Sequence, residues 1–259
     1  MKKFVAMLLV LTMMLAFAAC AKTEAAPAAT EAATEAATEA ATEAATEAPV
    51  AETEAAVVAM THEEYIAAEL DSAVVIETYV QGTQSWWDNK ITVYCQSEDG
   101  AFFAYEMACS EEDAAKLVPG TKILVNGYKG EWAGEVEVMD GTFTFVEDGE
   151  VFIAEALDVT ELLGTEELIN HQNEVVAFNG LTVEAISYKN DEPGDDIYVT
   201  LGYNGASYSF CVEIYLTGAE SEVYTTVGTL NVGDVVNVEG FLYWYEGANT
   251  HITAISLAE

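Results

Sequence analysis

Trp86 and Trp87 stand side by side and are followed at once by Asp88, Asn89 and Lys90. Trp132 follows Lys129 and Glu131, and Trp244 sits between Tyr243 and Tyr245. Indoles with short polar neighbours suit recognition of a neutral glycan or a peptidoglycan fragment. A sugar ring can lie on Trp86, Trp87 or Trp132 while Asp88 and Asn89 bond its hydroxyls, and such a site needs few charges. The same rings could instead be core, because large aromatics are highly buried on average. The Tyr243–Trp244–Tyr245 run, with Tyr188, could form a second platform, although strand alternation would bury at least one of its three rings.

Other chemistries find less support. Asn190–Asp191–Glu192–Pro193–Gly194–Asp195–Asp196 gathers carboxylates, and Asp191, Asp195 and Asp196 are weak candidates for a hard cation, which needs clustered oxygens from a flexible loop. The spacing is not that of a calcium-binding hand, and a solvated Pro-Gly turn explains it as well, so no metal is assigned. After Cys20, the odd set Cys95, Cys109 and Cys211 reads as small buried residues. If Asp99–Gly100 is a hairpin turn, Cys95 faces Ala104 and not Cys109. His62, His171 and His251 are scattered. No nucleophile elbow, zinc-protease motif or phosphate loop occurs. The expectation is a binding protein, not an enzyme, with no cofactor.

Charge narrows the partners. The 259 residues include 45 Asp and Glu against 8 lysines and no arginine, for a net charge of −37. Affinity for nucleic acid comes mainly from Lys and Arg neutralising phosphates, so the composition excludes a nucleic-acid partner.

The elements that must position these residues begin with an address. Lys2 and Lys3 precede an apolar run from Phe4 to Phe17, then Ala18, Ala19 and Cys20. This is a secretory signal, too short for a span of about 20 residues. Cys20 after two alanines resembles the lipobox of bacterial lipoproteins, with Phe17 where that family prefers Leu. The resemblance implies cleavage before Cys20 and a diacylglycerol thioether on it, hence a lipid-anchored protein outside the cytoplasm. An ordinary secretory signal ending near Ala19 is the alternative. The expected organisation is signal peptide 1–19, lipidated cysteine and tether 20–60, first domain 61–150, connector 151–173 and second domain 174–259. The tether carries a Thr-Glu-Ala-Ala repeat from Thr30, which has nothing large to bury and reads as a leash or, alternatively, a glycosylated stalk.

Beyond the tether the pattern is mainly β. Thr61–His62–Glu63–Glu64 fits a capping box, predicting a helix that turns Tyr65, Ile66 and Leu70 inward. Strands are expected at Ala73–Val80, Ile91–Gln96, Ala101–Glu106, Thr121–Tyr128 and Glu135–Val146, with a helix capped by Ser110 before the fourth. The order recurs in Val175–Tyr188, Ile197–Gly202, Ala206–Glu213, Asp234–Tyr245 and His251–Leu257. Leu117–Tyr128 aligns without a gap on Leu230–Phe241, setting Ile123 and Val125 on Val236 and Val238, Gly127 on Gly240 and Trp132 opposite Tyr245. Val151–Ala154 could add a strand, and Thr160–Leu163 and Thr165–His171 look like short connecting helices.

Three strands, a helix and two strands is the order of the OB-fold. The repeated Leu-x-x-Gly-x-x-hydrophobic-x-hydrophobic-x-Gly run resembles OB-fold fourth strands. With the lipobox and tether, the chain resembles the tandem OB-fold surface lipoproteins of Gram-positive bacteria. An SH3-like barrel or small sandwich is the alternative fold. In an OB barrel, Trp86, Trp87 and Trp132 would lie on loops that converge at one end, beside the face of strands two and three. The two functional expectations are glycan capture by a membrane-anchored module and a structural subunit of an envelope protein complex.

Overall fold

A computed structural model describes residues 58–258. The signal segment, Cys20 and nearly all of the tether lie outside the described residues. Among the described residues no helix is long and apolar enough to cross a membrane.

The Thr61 hydroxyl accepts from the Glu64 amide while Glu64 returns to the Thr61 amide, closing the expected capping box on α1 (His62–Ala67). Only Tyr65 turns inward; Ile66 and Leu70 are exposed. The physical reason is length: the six-residue helix makes fewer than two turns and ends before Leu70, so a single side chain meets the barrel.

Five strands follow: β1 (Ala73–Thr83), β2 (Lys90–Ser97), β3 (Gly100–Ala108), β4 (Lys122–Trp132) and β5 (Glu135–Phe145), with α2 (Glu111–Ala114) between β3 and β4. They close in the order β1-β2-β3-β5-β4. Ser110 caps α2, accepting from the Asp113 amide. After β6 (Leu157–Asp158) and two single-turn 3-10 segments, Thr160–Leu162 and Leu168–His171, the plan repeats. Its strands are β7 (Val175–Tyr188), β8 (Ile197–Tyr203), β9 (Ala206–Val212), β10 (Val235–Phe241) and β11 (Asn249–Leu257), with α3 (Ile214–Thr217) and α4 (Glu222–Val227) between β9 and β10. The sheet order is β10-β11-β9-β8-β7-β6, and β10 also pairs with β7, closing five strands as in the first copy. This is the OB-fold, twice. The pairing of strand three with strand five and the helix between strands three and four distinguish it from an SH3-like barrel. Residues 151–156 form no strand; β6 instead adds an edge to β7.

Ile123, Val125, Val236 and Val238 are all buried, each pair in the core of its own barrel. The matched glycines sit at register breaks. At Gly127 the β4–β5 pairing slips beside Val138, and at Gly240 the β10–β11 pairing slips with the His251 carbonyl lying where a Cβ would stand. A bulge with close backbone approach explains both positions.

The first hairpin differs from expectation by one residue. Ser97 pairs with Gly100, so Glu98–Asp99 is the turn and Cys95 faces Phe102, not Ala104. Gly100, at φ +153°, carries no Cβ because the His62 ring lies against it. The second hairpin does turn on Asn204–Gly205, both at positive φ as a type I′ turn requires. Cys95, Cys109 and Cys211 are buried free thiols.

Candidate functional site

The ligand face of an OB barrel is the outside of strands two and three, and the first barrel divides this face in two. Tyr94 on β2 and its cross-strand partner Phe103 on β3 point outward and are almost fully buried. The second barrel covers them: Phe241 stacks on Tyr94 at 4.3 Å and Tyr243 meets Phe103 edge-on at 5.3 Å. Tyr94 Oη and His251 Nδ1 lie 2.6 Å apart, and burial pushes His251 down to about 4. At neutral pH the phenol therefore donates to an uncharged imidazole. Val175 N adds a bond to Gln96 Oε1 at 2.8 Å.

The other half of the face is open. Trp87, Lys90, Thr92, Tyr105 and Glu106 line a cleft of about 440 Å³ together with Tyr215 of α3, so both barrels build it. Its geometry comes from a tight local turn. Trp87 and Lys90 exchange backbone bonds of 3.0 and 2.9 Å, and Asp88 and Asn89 between them both take positive φ. Asp and Asn tolerate that conformation better than most residues, which gives this pair a structural job. The turn is fixed to the second barrel by Ser85, whose amide and hydroxyl donate to Tyr215 O at 2.7 and 3.1 Å. Trp87 stands 80% exposed above the cleft. Lys90 and Glu106 neutralise each other at 2.6 Å.

The structure brings Trp86 and Trp87 to this cleft, but Trp86 is half-buried against the barrel core with Nε1 donating to Cys109 O at 2.9 Å. Asp88 and Asn89 line an adjoining hollow with Met139 and Asp140. Trp132 is not in the cleft; it lies 5.1 Å from Tyr245, where the β4–β5 and β10–β11 loops meet. Trp244 packs on the second core and donates its backbone N–H to Glu135 Oε2 at 2.8 Å. Tyr243 and Trp244 are half-buried and Tyr245 is exposed, because the chain leaves β10 at Phe241 and strand alternation no longer applies. Asp195 and Asp196 both pair with Lys189, Asp196 also caps the Ile214 amide, and Asp191 is exposed. No metal-holding group of three His, Cys, Asp or Glu occurs among the described residues.

Three residues went unnoticed in the sequence. Glu135 is fully buried between the barrels, accepts from Trp244 N and Gln172 Nε2, and is pushed up to about 8 by burial. His251 carries no spacing signal, and Tyr215 lies between Glu213 and Asp234, where the sequence predicts no element. Tyr94 and Phe103 were more legible. Ile91–Cys95 and Ala101–Tyr105 break hydrophobic alternation, the sign of strands buried on both faces.

No protein-family model matches the chain, and no curated protein matches it. Solved structures similar to it include a murine DNA-binding protein bound to double-stranded DNA, at 11% identity and TM-score 0.36 over 71% of this chain and 95% of that one. The Ifi202 HINa domain in complex with double-stranded DNA matches at 10% identity and TM-score 0.33, over 73% of this chain and 100% of that one. A replication protein A heterotrimer bound to single-stranded DNA matches at 12% identity and TM-score 0.29, over 70% of this chain and 49% of that one. At these identities the likeness is one of fold, and no DNA-contacting residue is carried over.

Two expectations are corrected here. The exclusion of nucleic acid on charge is one: the similar solved structures named above are bound to DNA. The glycan assignment does not stand either: Trp132 lies apart from Trp86 and Trp87, and its orienting pair, Asp88 and Asn89, forms a turn outside the cleft.

Proposed function

We propose that the protein is a non-catalytic binding module that takes a flat unsaturated ring, of the nucleobase class, in the cleft of Trp87, Tyr105 and Tyr215. The observation that carries this is the exposed indole of Trp87 beside the open half of an OB ligand face. Every base offers a π-face, and stacking on an aromatic side chain contributes roughly 1–3 kcal/mol per base without any arginine. Phosphate contact is not the source of affinity in a chain of net charge −37. This fixes the sign of the salt effect. Ordinary nucleic-acid binders weaken as salt rises through loss of counterion release, whereas here salt screens repulsion and affinity for a strand holds or increases.

The test is fluorescence of the protein titrated with adenosine and with a short single-stranded oligodeoxyadenylate at several salt concentrations. Saturable quenching by both, about tenfold weaker in Trp87→Ala, is expected. A flat response to both ligands would sink the reading, and a steep loss of oligonucleotide affinity with salt would replace stacking by phosphate contact.

We also propose that the module is held outside the cytoplasm by lipid on Cys20, as in the Gram-positive surface lipoproteins its sequence resembles. The signal segment and the Ala18–Ala19–Cys20 run support this. An acyl-modified Cys20 peptide in the mass spectrum is the expected result; a free thiol there refutes it.

A further inference from the structure

At the cleft, β3 departs from regular pairing. Ile91 pairs with Met107 and Val93 with Ala104, so Thr92 alone opposes both Tyr105 and Glu106. Two residues against one is a β-bulge, which re-aims side chains and is common beside active sites. Here two consecutive side chains, Tyr105 and Glu106, turn outward, and both line the Trp87 cleft. Glu106 takes φ +46°, an uncommon conformation for a residue with a Cβ, and its amide donates to Thr92 Oγ1 at 3.1 Å. Backbone strain of this kind clusters at ligand clamps. The second copy has no counterpart: β8 and β9 pair without a register shift from Ile197 and Val212 to Tyr203 and Ala206.

The bulge sets an acceptor beside a stacking surface. Lys90 Nζ, at 2.6 Å, holds the Glu106 carboxyl below the ordinary carboxylate range, so at neutral pH it is ionised and only accepts. Oε2 takes the Lys90 bond and Oε1 a bond from Tyr105 Oη at 3.1 Å, which leaves each oxygen a second acceptor position. Lys90 keeps two further N–H donors. A carboxylate is matched best by two parallel N–H donors. Among the nucleobases, guanine alone offers two adjacent N–H donors on one edge, N1–H and the 2-amino group, with its O6 acceptor alongside. We propose that the cleft prefers guanine, its ring on Trp87, its N1–H and 2-amino group donating to Glu106 and its O6 accepting from Lys90. This rests on the ring-binding reading of the cleft and adds the residue that chooses among rings.

The test is fluorescence quenching of the protein by guanosine, inosine and adenosine, inosine being guanosine without the 2-amino group. Guanosine is expected to bind at least about tenfold more tightly than either, the discrimination of one good bidentate pair. In Glu106→Gln, which keeps one acceptor oxygen but neither the charge nor the second oxygen, the advantage of guanosine over inosine is expected to vanish. Equal affinity for the three nucleosides in the wild-type protein would overturn the guanine preference while leaving ring binding intact. An advantage that survives in Glu106→Gln would overturn the assignment to Glu106. Quenching by none of the three would overturn the ring-binding reading itself, and the preference with it. If Glu106→Gln does not fold, the wild-type protein decides alone, and a guanosine-to-inosine affinity ratio near one refutes the proposal.

Discussion

Single residues decide which surfaces of the two barrels are free. Counting from the closing pair of each hairpin, Tyr94 and Phe103 of the first copy correspond to Thr200 and Ser209 of the second. The aromatic pair is sealed under Phe241 and Tyr243, while Ser209 is exposed. One copy therefore spends half of its ligand face on its neighbour, and the other keeps a small polar face that water can cover. Glu135 sits at the same junction and gives it a pH dependence. Its folded pKa of about 8 lies above the ordinary value of 4.5, so its contribution to stability is complete below that value and lost as pH rises through 8. Glu213, pushed to about 7 by burial and Asp196, acts in the same direction. His251 acts oppositely, because its lowered pKa costs stability as pH falls from 6.5 through about 4. The window between pH 6.5 and 8 thus belongs to the carboxyls. Thermal denaturation is expected to show the melting temperature falling across it, with a shallower slope in Glu135→Gln; an unchanged slope in that variant would remove Glu135 from this role. None of this was legible in a sequence with 45 acids, because a buried carboxyl and a solvated one are the same letter.

At the scale of elements, strand order and the fourth-strand alignment were legible because hydrophobic period and glycine position are local signals. Both β4 and β10 bulge at the matched glycines, as a tight barrel requires. Hairpin register was less legible. Asp99–Gly100 looks like a turn dipeptide, but the turn falls one residue earlier, where Gly100 leaves room for the His62 ring. That ring belongs to α1, so a contact from another element overrides the local preference. The two kinds of glycine separate experimentally. Gly240→Ala drives a methyl into the His251 carbonyl, while Gly205→Ala meets nothing and suffers only its φ of +81°. Chemical denaturation is expected to show a loss of about 1–2 kcal/mol for Gly205→Ala and at least about 3 kcal/mol for Gly240→Ala, the range of severe core disruption. Equal losses would mean that the β10–β11 bulge relaxes freely.

At the scale of the whole molecule, the described residues form one compact unit, not two beads on a string. Periodicity shows two copies of a barrel but not how they dock, since docking depends on which outward side chains find partners. The consequence is functional: the cleft under Trp87 has one wall from each barrel, with Tyr215 fixed to the first barrel's loop through Ser85. In the proposed function the ligand is therefore read by the pair, the second barrel completing the first barrel's cleft while covering half of its face. The most direct measurement is calorimetric titration of adenosine into the wild-type protein and into Tyr215→Ala, with the melting temperature of each. Because Tyr215 is exposed, the account predicts about tenfold weaker binding with little change in melting temperature. Equal affinities in the two proteins would contradict a cleft shared between the barrels, and absence of binding heat in both would contradict the cleft as a ring-binding site.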